Sequence, residues 1–136
     1  DRVTTNAFEL ALPTLFLSGI QHIAETPAGM AEVTDYVRTY LSDIPTVWDE
    51  TQFIDGYPGK LAIVARRSGD TWFVTGINGE NEVKELSLDM SFLNGKSGYL
   101  ITDGESHPEF KKQSITIQDA FPVRLKANGG FIMKLK

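Results

Sequence analysis

The chain has 136 residues, 41% of them hydrophobic and 23% charged, with a formal net charge of −5 and no cysteine. That is enough sequence for one domain with a real core, and an acidic balance without a basic cluster argues against nucleic acid as a partner. The lack of cysteine excludes disulfides and thiolate metal sites.

No leader pattern follows Asp1-Arg2. The absence of an initiating methionine is read as a mature product or an excised piece of a longer chain. The apolar stretch Ala7–Ile23 is too short for a membrane span and is broken by Glu9, Pro13 and Gln21.

Residues 4–24 read as a helix. From Phe8, apolar residues recur at Leu12, Leu15, Phe16, Gly19, Ile20 and Ile23, close to helical spacing. Leu10, Ala11 and Leu17 spread the apolarity around the axis, so more than one neighbour should bury it. Thr4-Thr5-Asn6 supplies candidate N-caps. Pro13 should bend or end the helix, because it lacks a backbone donor and crowds the preceding turn. A second helix, 27–43, is signalled by Thr26-Pro27 and carries the stripe Met30, Val33, Val37, Tyr40 and Leu41. Ile44-Pro45 ends it.

From Thr46 the pattern changes to alternation. Val47, Asp49 and Thr51 alternate with Trp48, Glu50 and Gln52, and Asp55–Gly59 reads as a turn cluster. Leu61–Arg67 and Thr71–Ile77 form the strongest strand pair, joined by Ser68-Gly69-Asp70. In the first of these, Leu61, Ile63 and Ala65 share one face and Ala62 and Val64 the other, as in a central strand covered on both sides. Further strands are expected over Glu82–Leu88, around Tyr99 and Ile101, at Ile115 and Ile117, over Phe121–Leu125 and over Phe131–Leu135. Asp103–Lys112 reads as a polar loop, and Asn128-Gly129-Gly130 as the last hairpin turn. The fold class is therefore mainly β with N-terminal helices: an antiparallel β-sandwich of about eight strands preceded by two α-helices. The natural division is a helical segment, 1–44, and a sandwich, 45–136.

No catalytic constellation accompanies this fold. A glycosidase-type carboxylate pair stands about 5–10 Å apart across a cleft. Asp49 and Glu50 are adjacent in an extended segment, so they should point to opposite faces and serve a polar strand end or a neighbouring turn. His22 and His107 are far apart and isolated. Asp103-Gly104-Glu105 lacks the ligand series of a calcium loop. The basic pairs Arg66-Arg67 and Lys111-Lys112 read as solvated strand ends or loop surface. Trp48, Tyr57, Trp72 and Tyr99 are candidates for a stacking platform, although Trp72 sits among apolar strand residues and suits a core.

Two stretches carry a family resemblance: RVTTNAFELALPTLFLSGIQHIAETP, residues 2–27, and IPTVWDETQFIDGYPGKLAIVARRSGDTWFVTGING, residues 44–79. Together they resemble the C-terminal part of glycoside hydrolase family 97, bacterial enzymes of the α-glucosidase and α-galactosidase type. There a helix of this form closes the catalytic (β/α)8 barrel, and a WDET segment leads into a β-sandwich. Pro13, and Leu17 where the family often has glutamate, depart from the pattern.

The resemblance implies a parent enzyme that cleaves α-glycosidic bonds with carboxylates and calcium, periplasmic or secreted. The residues for that chemistry have no counterpart here, so no catalytic residue, cofactor or metal ligand is expected in this chain. The expected role is a non-catalytic C-terminal domain that supports the barrel, oligomerises, or both. Phe8, Leu12, Leu15 and Phe16 are the expected interface, with the barrel or a second copy in a homo-dimer as partner. The alternative is a carbohydrate-binding module that meets a glycan through Trp48, Tyr57 or Trp72.

Overall fold

The computed structural model describes residues 4–15, 35–105 and 110–136. Helix α1 spans Asn6–Leu15 and α2 spans Asp35–Asp43. The strands are β1 (Glu50–Tyr57), β2 (Leu61–Ser68), β3 (Thr71–Asn78), β4 (Lys84–Asp89), β5 (Ser97–Asp103), β6 (Phe110–Thr116), β7 (Ala120–Leu125) and β8 (Gly130–Leu135). A 3-10 turn, Ser91–Leu93, lies between β4 and β5.

Six strands form one sheet in the order β1-β2-β3-β8-β5-β6, and β4 pairs with β7 in a second, two-stranded sheet. Every strand pairing is antiparallel. The antiparallel sandwich expected from alternation is thus present, with a large sheet facing a small one.

The large sheet has apolar residues on both faces. Ile63, Ala65, Trp72, Val74, Phe131 and Met133 meet Leu88, Val123 and Leu125 of the small sheet in one core. Phe73, Ile101 and Ile132 point the other way and meet Leu10, Ala11, Val37, Tyr40 and Leu41 of the helices in a second core. The alternation of Trp72 and Val74 with Phe73 divides β3 between the two cores. Gly76 stands directly opposite Phe131. A Cβ at Gly76 would lie 2.4 Å from the phenyl ring, so only glycine lets the ring lie across this strand.

The helices dock on the sheet through polar ties at both ends of α1. Thr5 Oγ1 accepts the Phe8 N–H at 3.2 Å, which makes Thr5 the N-cap among the expected candidates. Asp103, from β5, accepts the Ala7 N–H at 3.0 Å, placing a carboxylate at the positive end of the helix. At the other end, Arg66 donates to the Thr14 carbonyl at 3.1 Å, and the Thr14 and Tyr40 hydroxyls are 2.9 Å apart. Pro13 lies inside α1, two residues before Leu15. The expected course beyond Leu15, and the portion of the second helix before Asp35, lie outside the described residues.

Four local expectations are corrected. The Asp55–Gly59 turn is shorter, because a register shift between Phe53 and Asp55 lets β1 continue to Tyr57. The 46–52 strand starts only at Glu50. The polar loop ends earlier, since Phe110–Lys112 already pair with β5. Asn128-Gly129-Gly130 is not a hairpin turn: β7 lies in the small sheet and β8 in the large one.

That last link is tied to the link leaving β3. The buried Asn78 amide donates to the Glu82 carbonyl at 2.8 Å and the Lys126 carbonyl at 3.0 Å, and its oxygen accepts the Glu80 N–H at 3.0 Å. Asn128, in the left-handed region at φ 55°, donates its N–H to the Glu80 carbonyl at 2.9 Å.

Candidate functional site

Among the described residues no group of three or more His, Asp or Glu side chains is arranged to hold a metal ion. His22 and His107 lie outside those residues. Asp103-Gly104 is tied from within the chain: Asp103 takes the Ala7 N–H, and Lys126 Nζ donates to the Gly104 carbonyl.

Asp49 and Glu50 do not diverge as adjacent strand residues would, because Asp49 precedes the strand. Both reach Arg67, Glu50 at 3.1 Å and Asp49 at 3.9 Å, and Asp49 also accepts the Gly69 N–H at 2.7 Å. Hydrogen bonds from Gln52 and Arg67 hold the Glu50 carboxyl below the usual carboxylate range. This is a clasp on the β2–β3 turn, as the polar-strand-end reading expects.

One residue of each basic pair departs from the solvated reading. Arg66 lies partly buried beneath α1, and burial lowers its guanidinium from the ordinary value. Lys112 sits over the rings of Tyr99 and Tyr36, 4.5 and 5.5 Å from their centroids.

The aromatic candidates do not form a single platform. Trp72 is buried between the sheets, with Phe92 edge-on at 5.4 Å. Trp48 is half-buried on the opposite side of the large sheet, edge-on to Phe73 at 5.4 Å. Tyr57 is exposed, and its hydroxyl donates to Glu80 at 3.0 Å. Of the expected interface residues, Leu15 is buried within the chain, Phe8 and Leu12 are partly open, and Phe16 lies outside the described residues.

Phe8 borders the best-formed concavity described, an open groove of about 590 Å³. Its other walls come from the ends of β1, β2 and β3, including Phe53, Tyr57, Ala62 and Ile77. Phe53 is 67% exposed and is the most open aromatic side chain among the described residues. An open apolar surface of this kind, without convergent acids or bases, suits contact with another apolar surface and offers no means of bond cleavage. The sequence signal for Phe53 was its place on a strand with a polar neighbour on one side; nothing in that pattern shows the edge position that leaves it open.

The sequence profile described as "Glycosyl-hydrolase 97 C-terminal, oligomerisation" matches residues 47–136. A retaining alpha-galactosidase of Bacteroides thetaiotaomicron is 33% identical over 97% of this chain and 21% of its own length. The crystal structure of a beta-arabinopyranosidase superposes with a TM-score of 0.78 and 28% identity, covering 98% of this chain and 21% of that one. A glycoside hydrolase family 97 enzyme from Pseudoalteromonas sp. strain K8, in complex with acarbose, shares the fold at a TM-score of 0.61 and 23% identity, over 74% of this chain and 18% of its own. The chain spans about a fifth of the length of the relatives it matches.

Proposed function

The chain belongs to the glycosyl-hydrolase 97 C-terminal family, and from that premise we propose that it holds together the subunits of an enzyme that hydrolyses α-glycosidic bonds. The matched family is the C-terminal, oligomerisation part of such enzymes, so the chain's own role is non-catalytic. The single observation behind the wider proposal is the match of a profile named for oligomerisation to the whole sandwich, 47–136.

In this reading the division at 44/45 separates two jobs. The helical segment, with α1 and α2 on one face of the large sheet, is the barrel-side support, and the sandwich carries the contact between subunits. The similarity to a retaining alpha-galactosidase supports an α-galactoside as the parent's substrate class. Calcium, if the parent uses it, belongs to the catalytic part. An extracytoplasmic location completes the reading.

The test is solution mass by light scattering across a concentration range. A dimer or larger species is expected, and the chain alone should not hydrolyse an aryl α-galactoside. A monomer at every concentration would contradict the proposal. A competing glycan-binding reading keeps one supporting observation, the exposure of Tyr57 beside the groove. Calorimetric titration with α-galactosides and α-glucans separates the two: heat abolished by Tyr57→Ala would favour the glycan.

A further inference from the structure

We propose that the groove beside Phe53 is the self-association surface of this domain, and that its occupant is the Phe53 side chain of a second copy, exchanged reciprocally about a two-fold axis. This rests on the oligomerisation reading above and names the place where the contact forms.

The position of the groove selects the partner. Every lining residue except Phe8 falls within 47–136, the stretch matched to the oligomerisation family. The helical segment, which resembles the end of a barrel, contributes Phe8 alone. A surface built almost wholly by the sandwich fits another sandwich better than it fits the barrel.

The two open edges of the large sheet also differ. Among the described residues, β1 and β6 are its outer strands. The β6 edge carries Lys111 and Lys112, and charge of this kind, lysine above all, discourages a second chain from pairing there. The β1 strand, ETQFIDGY, has no basic residue and holds Phe53 outward. Its register shift at Phe53/Asp55 breaks the run of backbone donors and acceptors that a continuous intermolecular sheet needs. The contact is therefore made by side chains.

A two-fold contact uses the same patch on both copies, so the patch must contain both a projection and a recess. Phe53 is the projection. The recess is kept open by Gly56, Ala62 and Ile77. Gly56 must be glycine for a separate reason: its φ is +137°, and a Cβ there would lie 2.3 Å from the Leu61 carbonyl oxygen. The constraint that shapes the end of β1 therefore also leaves the recess without a side chain at that point.

The test is sedimentation velocity of the full chain over a concentration range, comparing wild type with Phe53→Asp and Val83→Asp. Val83 is 44% exposed and does not line the groove. Phe53→Asp should weaken self-association about thirtyfold or more, as expected for loss of a desolvated aromatic anchor. Val83→Asp should leave it unchanged, and both variants should melt like wild type because both positions are exposed. Undiminished association of Phe53→Asp would overturn the assignment of the surface and leave the oligomerisation reading standing. Equal weakening by Val83→Asp would overturn it too, since the effect would then be one of general charge. A wild-type chain that never associates would remove the oligomerisation reading, and this inference with it. If the groove instead seats the catalytic barrel, Phe53→Asp in the full-length parent would lower its melting temperature without changing its mass, which also overturns the inference.

Discussion

Asn78 shows how much structure one side chain can hold. It is fully buried, and its amide joins two links that are 48 residues apart in sequence. A buried polar group left without partners costs about 1–3 kcal/mol, and Asn78→Leu strands two carbonyls and one N–H. Asn78→Leu should lower stability by about 3 kcal/mol or more, roughly 10 °C in melting temperature for a domain of this size. A shift of only a degree or two in calorimetry would show that water replaces the lost bonds. The sequence around Asn78 did not reveal this role. Asn-Gly is a local turn signal, and it carries no information about a carbonyl at Lys126. For the same reason, Trp72 was legible as core from its apolar neighbours, whereas the clasp of Asp49 and Glu50 on Arg67 depends on where the first strand begins.

Between helices and sheet, two tyrosines respond to alkali. Burial, and then the Asp43 charge, push the Tyr99 phenol up to about 12. Burial also pushes Tyr40 up, opposed by its hydrogen bond to Thr14. In the unfolded chain both ionise near the ordinary value of about 10. Between about pH 10 and 12 the unfolded chain has released protons that the folded chain still holds, so stability falls as pH rises through that window and is intact below it. Tyr40 alone sets a slope of about 1.4 kcal/mol per pH unit, and half-buried Tyr99 adds less. Urea unfolding from pH 8 to 11.5 should show this decline. Tyr40→Phe should flatten it while losing about 1 kcal/mol at neutral pH with the Thr14 hydrogen bond. An unchanged slope in Tyr40→Phe would locate the alkaline sensitivity elsewhere. At this scale the sequence was most readable: each of the eight strands overlaps an expected one, and Val37, Tyr40 and Leu41 are buried as their spacing requires. The misses are at strand ends. A bulge does not disturb composition, so β1 was cut short, and the lysines that guard the β6 edge made its first residues look like loop.

At the scale of the whole molecule, the three layers differ in their support. The six-stranded sheet is covered on both faces, whereas β4 and β7 have only each other as hydrogen-bonding neighbours. Two paired strands are marginal without packing. Pro122, in β7, has no N–H to give and is tolerated because that strand has a free side. Amide hydrogen exchange should therefore be faster in β4 and β7 than in β2, β3 and β8, by about tenfold or more. Equal protection would mean that the two sheets open as one unit. Strand order was the part least visible in the sequence. Alternation shows that a segment is extended and which face is apolar, but it does not name the neighbour, and short links between strands invite a hairpin reading that two of them do not obey.

The placement of β8 has a consequence for biosynthesis. It lies between β3 and β5 and hydrogen-bonds to both, although it is the last strand of the chain. Until residues 130–135 leave the ribosome, the β1–β3 meander and the β5–β6 hairpin have no backbone connection, and each presents an unpaired inner edge. The nascent domain holds two unjoined half-sheets for most of its synthesis. Its large sheet closes in one late step of high contact order.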